Sequence, residues 1–220
     1  MRGEPKHKGV GMLAVVRALK ANERAQALLP ATLVHYLTDP ILPSGWYPER
    51  DYDVLIDALA RSVDPAAVGG NAWLAFGRIG AQRDIAGMQE KVPPESRTEI
   101  AGVYRKLGDG VPGDIAGMFA RLTKLWSMYH DSGTISVGRH ASDEAVVVSR
   151  LTDFRFPSRG PAELQTGYSV EFARLLGVKL EGKLIRVKTD GEPHCEWHYR
   201  VQPTPENLAM VASFELLPER

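Results

Sequence analysis

Cysteine is nearly absent from this chain: Cys195 is the only one in 220 residues. A lone thiol excludes an intramolecular disulfide, and a reducing compartment is the simpler expectation. Charge of either sign is also missing in excess. Lys+Arg and Asp+Glu each number 27, so the formal net charge is zero. That balance leaves no electrostatic footprint for nucleic acid or an anionic membrane, and neither is expected as a partner. Long apolar runs are lacking too. Val10–Val16 is typical of the longest, far below the ~20 residues of a membrane span. The opening MRGEPKHKGV is polar and has no apolar core of a signal peptide, so a cytoplasmic location is expected. What is present is 44% apolar residues, enough for a core in one large domain or two small ones.

By pattern the chain divides in two. A helical N-terminal part covers 1–130, and an α+β part covers 131–220; the two are expected to unfold as one cooperative unit. Val10, Leu13, Ala14, Val16 and Leu19 predict a first helix. Thr32–Leu37 predicts a short second one, ended by Asp39-Pro40. Pro40–Pro48 reads as a stiff connector, with Pro48 in the first turn of a helix reaching Ser62. Ala66–Gly80, with Trp73, Leu74, Phe76 and Ile79, reads as buried helix. Asp84-Ile85-Ala86-Gly87-Met88 is echoed at Glu99–Val103 and Asp114–Met118. Either this is a degenerate repeat or it marks three helix starts with small residues at close crossings. The period is too short for a helical solenoid.

Ile115–Tyr129 carries the strongest helical period, through Met118, Leu122, Leu125, Trp126 and Tyr129. Thr134–Val137 and Glu144–Leu151 read as strands, the second β-branched and central. A helix over about Ala162–Leu176 is closed by Gly177. Lys179–Thr189 and His194–Gln202 are the last strands, and Thr204-Pro205-Glu206 opens a final helix.

Few residues suggest chemistry. His194, Glu196 and His198 share one strand face, opposite Cys195, Trp197 and Tyr199. They read either as part of a metal site or as a solvated polar face over a core face. The two histidines, ~13 Å apart on a strand, cannot share an ion. Cys195 is a small buried hydrophobe or, on the alternative, a reactive thiol. His35, His130 and His140 are scattered. No Gly-x-Ser-x-Gly elbow occurs, Gly69-Gly70 lacks the context of a phosphate loop, and Gly108–Gly113 lacks the alternating acids of a calcium loop. Arg150, Arg155 and Arg159 could meet an anion or pair with neighbouring acids.

One segment carries a resemblance. A helix ending Leu175-Leu176-Gly177, a strand, and then Gly191-Glu192-Pro193-His194-Cys195-Glu196-Trp197 is similar to the end of the 4-vinyl-reductase-type domain. The usual form there is Gly-Asp-Pro-x-Cys-x-Phe. That domain is related in fold to the haem nitric-oxide-binding domain and to TRAPP tethering subunits. Lys8-Gly9-Val10, Gly45-Trp46-Tyr47-Pro48 and the Leu125-Trp126 helix also resemble an uncharacterised bacterial family of about this length.

The resemblance implies an α+β fold: a helical N-terminal part, then a twisted antiparallel sheet with packed helices. It implies a pocket for a small apolar molecule between sheet and helices, or a surface for a partner. It does not by itself imply catalysis. Zinc-binding members carry Glu and Cys where this chain has Leu184 and Val187, so only Cys195 of that ligand set remains, and no such zinc is expected. The Tyr-x-Ser-x-Arg grip of haem-binding relatives is missing, so no cofactor is expected. With the Trp126 helix, the Val146 strand and the Tyr168 helix bordering the cavity, Trp126, Phe156, Tyr168 and Phe172 are the expected lining. The leading reading is a non-enzymatic small-molecule-binding or signalling module acting through a partner protein or a homodimer. The alternatives are a structural adaptor resembling the tethering subunits and, last, a reductase-type enzyme.

Overall fold

The computed structural model describes residues 4–91, 115–154, 156 and 158–218. Two three-residue strands open the architecture. β1 (Lys6–Lys8) pairs antiparallel with β2 (Trp46–Pro48), His7 opposite Tyr47. Helix α1 (Gly9–Lys20) follows β1, and α3 (Glu49–Ser62) follows β2, with the short α2 (Glu23–Gln26) and a 3-10 turn (Ala31–Leu37) between them. Met12, Val16 and Leu19 of α1 pack with Leu55, Ile56 and Leu59 of α3 in one apolar cluster, the i, i+4, i+7 stripe that an amphipathic helix buries.

Sequence pattern predicts helix over almost all of 8–130, with Pro40–Pro48 as a connector, and it misses both small strands. A three-residue strand has no periodicity of its own; its hydrogen bonds come from a partner some 40 residues away. The predicted helix over Ala66–Gly80 is also displaced. Pro65–Val68 is a 3-10 turn ended by Gly69 and Gly70 at positive φ, and α4 runs Ala72–Lys91. Asp84–Met88 therefore lies inside α4 and does not start a helix. The second echo, Asp114 of the third, and Gly108–Gly113 lie outside the described residues.

α5 (Ile115–Tyr129) has the predicted bounds and buries Met118, Leu122, Leu125 and Trp126. β3 (Thr134–Arg139), β4 (Val146–Thr152), β5 (Leu180–Arg186) and β6 (Cys195–Val201) form one antiparallel sheet in the order β3-β4-β6-β5. β4 is an inner strand, as its β-branched run predicts, with Val147 opposite Tyr199 and Leu151 opposite Cys195. α6 (Arg159–Leu175) precedes β5 and ends at Gly177, φ 77°. α7 (Pro205–Ala212) is capped by Thr204, whose Oγ1 accepts from Asn207 N at 3.2 Å. The protein is thus an α+β fold, with helices packed on an antiparallel sheet.

The sheet face carrying Cys195, Trp197 and Tyr199 is dry. The Trp197 indole donates to Ala162 O at 3.0 Å and ties β6 to α6, and Tyr199 meets Phe119 of α5 at 5.3 Å between centroids. The opposite face differs from the expected solvated surface. His194 and Glu196 are each only 4% exposed. Glu196 accepts from Arg150 and lies 3.3 Å from His194 Nε2 and 2.9 Å from His198 Nε2. Arg150 also donates to Pro218 O, and Leu217 N bonds to Arg139 O. Alternation along β6 is as the sequence predicts, but the C-terminal tail lies over the polar face. A tail docking by backbone hydrogen bonds leaves no periodic signal.

α4 and α6 cross at very close range. A Cβ on Gly77 would lie 2.0 Å from Leu164 O, and one on Gly167 would lie 2.1 Å from Leu74 O. Only glycine permits that approach.

Candidate functional site

A cavity of about 320 Å³ lies where the halves join. Its walls come from five helices: Ala14 and Val15 of α1, Tyr52 and Ile56 of α3, Phe76 and Ile79 of α4, Leu125 and Trp126 of α5, and Leu164 and Tyr168 of α6. Most of the lining is apolar. The polar lining is Arg83 and Asp84 of α4, Tyr129, His130 and His7, which cluster together, and Gln165 of α6. The Tyr168 hydroxyl donates to Asp84 Oδ2 at 2.8 Å.

This is not the expected place. The resemblance puts a pocket between sheet and helices, bordered by the Val146 strand. There Phe119, Trp197 and Tyr199 close the space to about 10 Å³, scarcely one water. No β4 residue is among the described lining of the 320 Å³ cavity, whereas Val146 borders a pocket of about 510 Å³ on the other side of the sheet, with His140, Lys183 and His198. Of the four expected lining residues, Trp126 and Tyr168 face it. Phe156 and Phe172 do not reach it. Phe156 lies 4% exposed in the core, 6.3 Å from Trp126, and Phe172 is fully buried, stacked on Tyr168 at 6.0 Å. Aromatic identity marks all four as apolar, but only the crossing of α4 over α6 decides which pair faces the void.

The polar end is built on a His–Glu–His cluster that the sequence reading does not assemble. His7 sits in β1, Glu49 opens α3, and His130 follows the last turn of α5. The backbone locks these elements together. Glu49 N donates to Pro5 O at 2.9 Å, Asp131 N to Lys6 O at 3.2 Å, and Lys6 N to Asp131 Oδ1 at 2.7 Å. His7 and His130 themselves form an antiparallel bridge. The result is a carboxylate between two imidazoles: His7 Nδ1 is 3.3 Å from Glu49 Oε1, and His130 Nδ1 is 3.1 Å from Glu49 Oε2. His7 and Glu49 are 4% and 5% exposed.

Aromatic faces clamp both rings. Tyr52 stacks on His7 at 3.6 Å and 8°, and Trp126 stacks on His130 at 3.7 Å and 12°. The Trp126 indole in turn donates to Ser132 O at 3.0 Å. Gly11 leaves room for the first imidazole, since a Cβ there would lie 2.3 Å from His7 Nε2.

Burial pushes the Glu49 carboxyl up, but the His130 and His7 imidazoles outweigh it and hold the group down at about 2. Burial holds His7 below its ordinary value of 6.5 despite Glu49. Asp53, one turn along α3, is pushed well up by burial and by the Glu49 charge. Tyr52 is pushed up by burial first, then by Glu49, Asp53 and Asp84. The buried negative charge here thus rests on Glu49, while Asp53 and Tyr52 are held towards their neutral forms.

The remaining sequence candidates lie elsewhere. His35 Nδ1 pairs with Thr32 O at 2.9 Å, and His140 meets His198 edge-on at 4.9 Å. Cys195, Val187 and Leu184 are core residues, with Lys188 N donating to Cys195 Sγ at 3.4 Å. Arg159 pairs with Glu163 at 3.2 Å, Arg150 with Glu196, and Arg155 lies outside the described residues. Separations of 42 and 81 residues hide the His7–Glu49–His130 set. The one local hint is Glu49, an acid in the first turn after Pro48.

No family model matches the sequence, and no curated protein is similar to it at the sequence level. Solved structures are similar in shape. A mutant H-NOX protein of K. algicida, in the Fe(II) unliganded state, superposes with a TM-score of 0.55 at 11% identity over 90% of this chain and 98% of that one. A Cs H-NOX mutant carrying an unnatural amino acid gives 0.54 at 10% identity, with the same shares. A mutant H-NOX of T. tengcongensis gives 0.52 at 10%, over 90% and 99%. The fold is that of the H-NOX domains. At these identities the likeness is one of fold alone.

A further solved structure concerns haem distortion in the H-NOX family, so haem is the group to test here. The residues present do not fit it. The cavity, about 320 Å³, is at the bottom of the ~300–1,000 Å³ range of small-molecule sites, too small for a tetrapyrrole. The free nitrogen of His7 abuts Gly11 of α1. His130 gives Nδ1 to Glu49 with its ring flat on Trp126. Arg83 is the sole Lys or Arg on the described lining, against two propionates.

Proposed function

We propose that this protein is a non-enzymatic sensor that binds a small, mostly apolar molecule in the cavity between its two halves. The observation that carries the reading is the cavity itself, walled by helices of both halves and mostly apolar. A ligand there touches α1, α3, α4 and α5 of the N-terminal part and α6 of the C-terminal part. It therefore favours one relative placement of the halves over others, which is how differential contact becomes a signal. The H-NOX-like fold supports a sensor role, and the 4-vinyl-reductase-type resemblance of 167–201 supports a ligand other than haem. Output passes to a partner protein or through a homodimer in the cytoplasm.

The first test is native mass spectrometry of purified protein, repeated after denaturation. Extra mass lost on denaturation is the expected result, and its value begins to identify the molecule. A bare monomer that also fails to bind an apolar naphthalene dye would sink the sensor reading. Ala14→Phe fills the cavity from α1 and is expected to weaken dye binding at least ~10-fold, about 1.4 kcal/mol. Lys188→Ala, remote from the lining, is expected to leave binding unchanged. Equal effects of the two would place the dye elsewhere.

A structural adaptor is the second reading, favoured by the exposure of Leu42 (64%) and Trp46 (41%) around β2. A bare dimer mass would move the assignment there.

A further inference from the structure

We infer that His7, Glu49 and His130 bind a divalent transition-metal ion, zinc or iron(II) by the chemistry of the ligand set, with one coordination position left open beside the apolar cavity. Two imidazoles and a carboxylate make the ligand set of catalytic zinc and non-haem iron(II) centres, in which the protein leaves a site for a further ligand. One donor atom from each residue lies within 4.8 Å of the other two. With bonds of ~2.0–2.1 Å, a tetrahedral ion separates its ligands by about 3.3 Å. His7 Nδ1 is 3.3 Å from Glu49 Oε1 and His130 Nδ1 is 3.1 Å from Glu49 Oε2, so each ring already lies near that edge length from one oxygen of the shared carboxylate. To close on one ion, the three donors must draw in from separations of up to 4.8 Å.

Three further observations favour a cation over a purely structural hydrogen-bonded triad. Among the described residues Asp53 Oδ1 is buried without a hydrogen-bond partner, one helical turn from Glu49. A nearby ion would offset its desolvation. Asp84 adds another carboxylate to the polar end, and Arg83 is the sole Lys or Arg to balance it on the described lining. Finally, both imidazoles are oriented from outside the cluster, by Tyr52 and by Trp126, which spares a metal the entropy of ordering them. Ligation through Nδ1 needs each ring in its Nε2–H tautomer, so two neutral imidazoles keep their protons. His7 and His130 both line the cavity. A ligand bound there can then supply the further donor, through a polar head such as a carboxylate, hydroxyl or thiol. That last step rests on the proposed ligand-binding reading; the metal site does not.

The test uses tag-free full-length protein stripped of metal. Zinc is titrated in competition with a chelating dye, and cobalt(II) is titrated while its visible absorption reports coordination number. One equivalent per chain and a four-coordinate cobalt spectrum are expected. Glu49→Gln and His130→Ala should each lower zinc affinity by more than the ~100-fold that outer-shell changes reach. Gly11→Ala keeps all three ligands but pushes on His7, and it should weaken zinc as well. Circular dichroism checks that each variant is folded. Failure of the folded parent to take up zinc, cobalt or iron(II) stoichiometrically overturns the site, as does unchanged affinity in a folded Glu49→Gln protein. Naphthalene-dye binding by the metal-free protein is measured separately. Dye without metal leaves the sensor reading and removes the metal; metal without dye does the reverse.

Discussion

Gly167→Ala is expected to destabilise the protein by ~3 kcal/mol, at the upper end of ordinary overpacking. The added Cβ would meet Leu74 O at 2.1 Å and the rest of that peptide at 2.8 Å. Backbone cannot swing aside as a flexible side chain can, so α4 and α6 must separate. Alanine is the better helix former by about 1 kcal/mol, and that gain is far too small to offset the clash. Because α4 and α6 both wall the cavity, the same substitution should also weaken apolar-dye binding in whatever fraction remains folded. Thermal unfolding followed by circular dichroism measures the first effect. A Tm within a degree of the parent would mean that the helices do not cross at Gly167. Gly80→Ala is the control on α4. Its Cβ would meet only the Tyr168 ring at 3.5 Å, an ordinary contact, and it should be neutral or slightly stabilising.

Arg150→Met should cost about 3–5 kcal/mol, the usual penalty for breaking a buried ion pair from one side. It leaves Glu196 buried at 4% exposure with only His194 and His198 beside it, and it frees Pro218 O. Burial pushes the Glu196 carboxyl up, but hydrogen bonds from Arg150, His198 and His194 outweigh it and hold the group at about 2 in the folded protein. The ordinary value is 4.5. A depressed carboxylate contributes stability that is fully present above the unfolded value and is lost as pH falls through the folded one. The parent should therefore lose stability between about pH 4.5 and pH 2, a loss shared with Glu49 and Glu171, which are depressed to the same level. In Arg150→Met the Glu196 part of that loss should shrink, since only His198 and His194 still favour the charge, so the Tm–pH slope in this window should flatten. A slope identical to the parent's would show that Arg150 does not stabilise the Glu196 charge. Arg150→Met/Glu196→Leu should recover most of the lost stability, since no charge is then left buried.

Most elements were legible because their periods are local. The apolar stripe of α5, the β-branched run of β4 and the cap at Thr204 each need only a dozen neighbouring residues. The alternation on β6 was legible for the same reason, but its burial was not. Cover for His194 and Glu196 comes from the tail at 215–218, which bonds back to Arg139 and Arg150. β1 and β2 escaped notice because each exists only as the other's partner. Gly77 and Gly167 stood out as nothing more than glycines. Their meaning is a crossing between residues 90 apart, while the Ala-Gly pair the sequence singled out at Ala86-Gly87 lies further along α4.

By itself, then, the sequence determined an α+β protein without a membrane-crossing helix, its last four strands and the helices among them, because hydrophobic periodicity and capping are written in adjacent residues. Tertiary structure alone decided where the cavity lies, that Trp126 and Tyr168 face it while Phe156 and Phe172 fill the core, and that His7, Glu49 and His130 converge. A void is what remains after helices cross, and a three-residue cluster spanning 123 positions depends on chain closure over distances that no local pattern encodes.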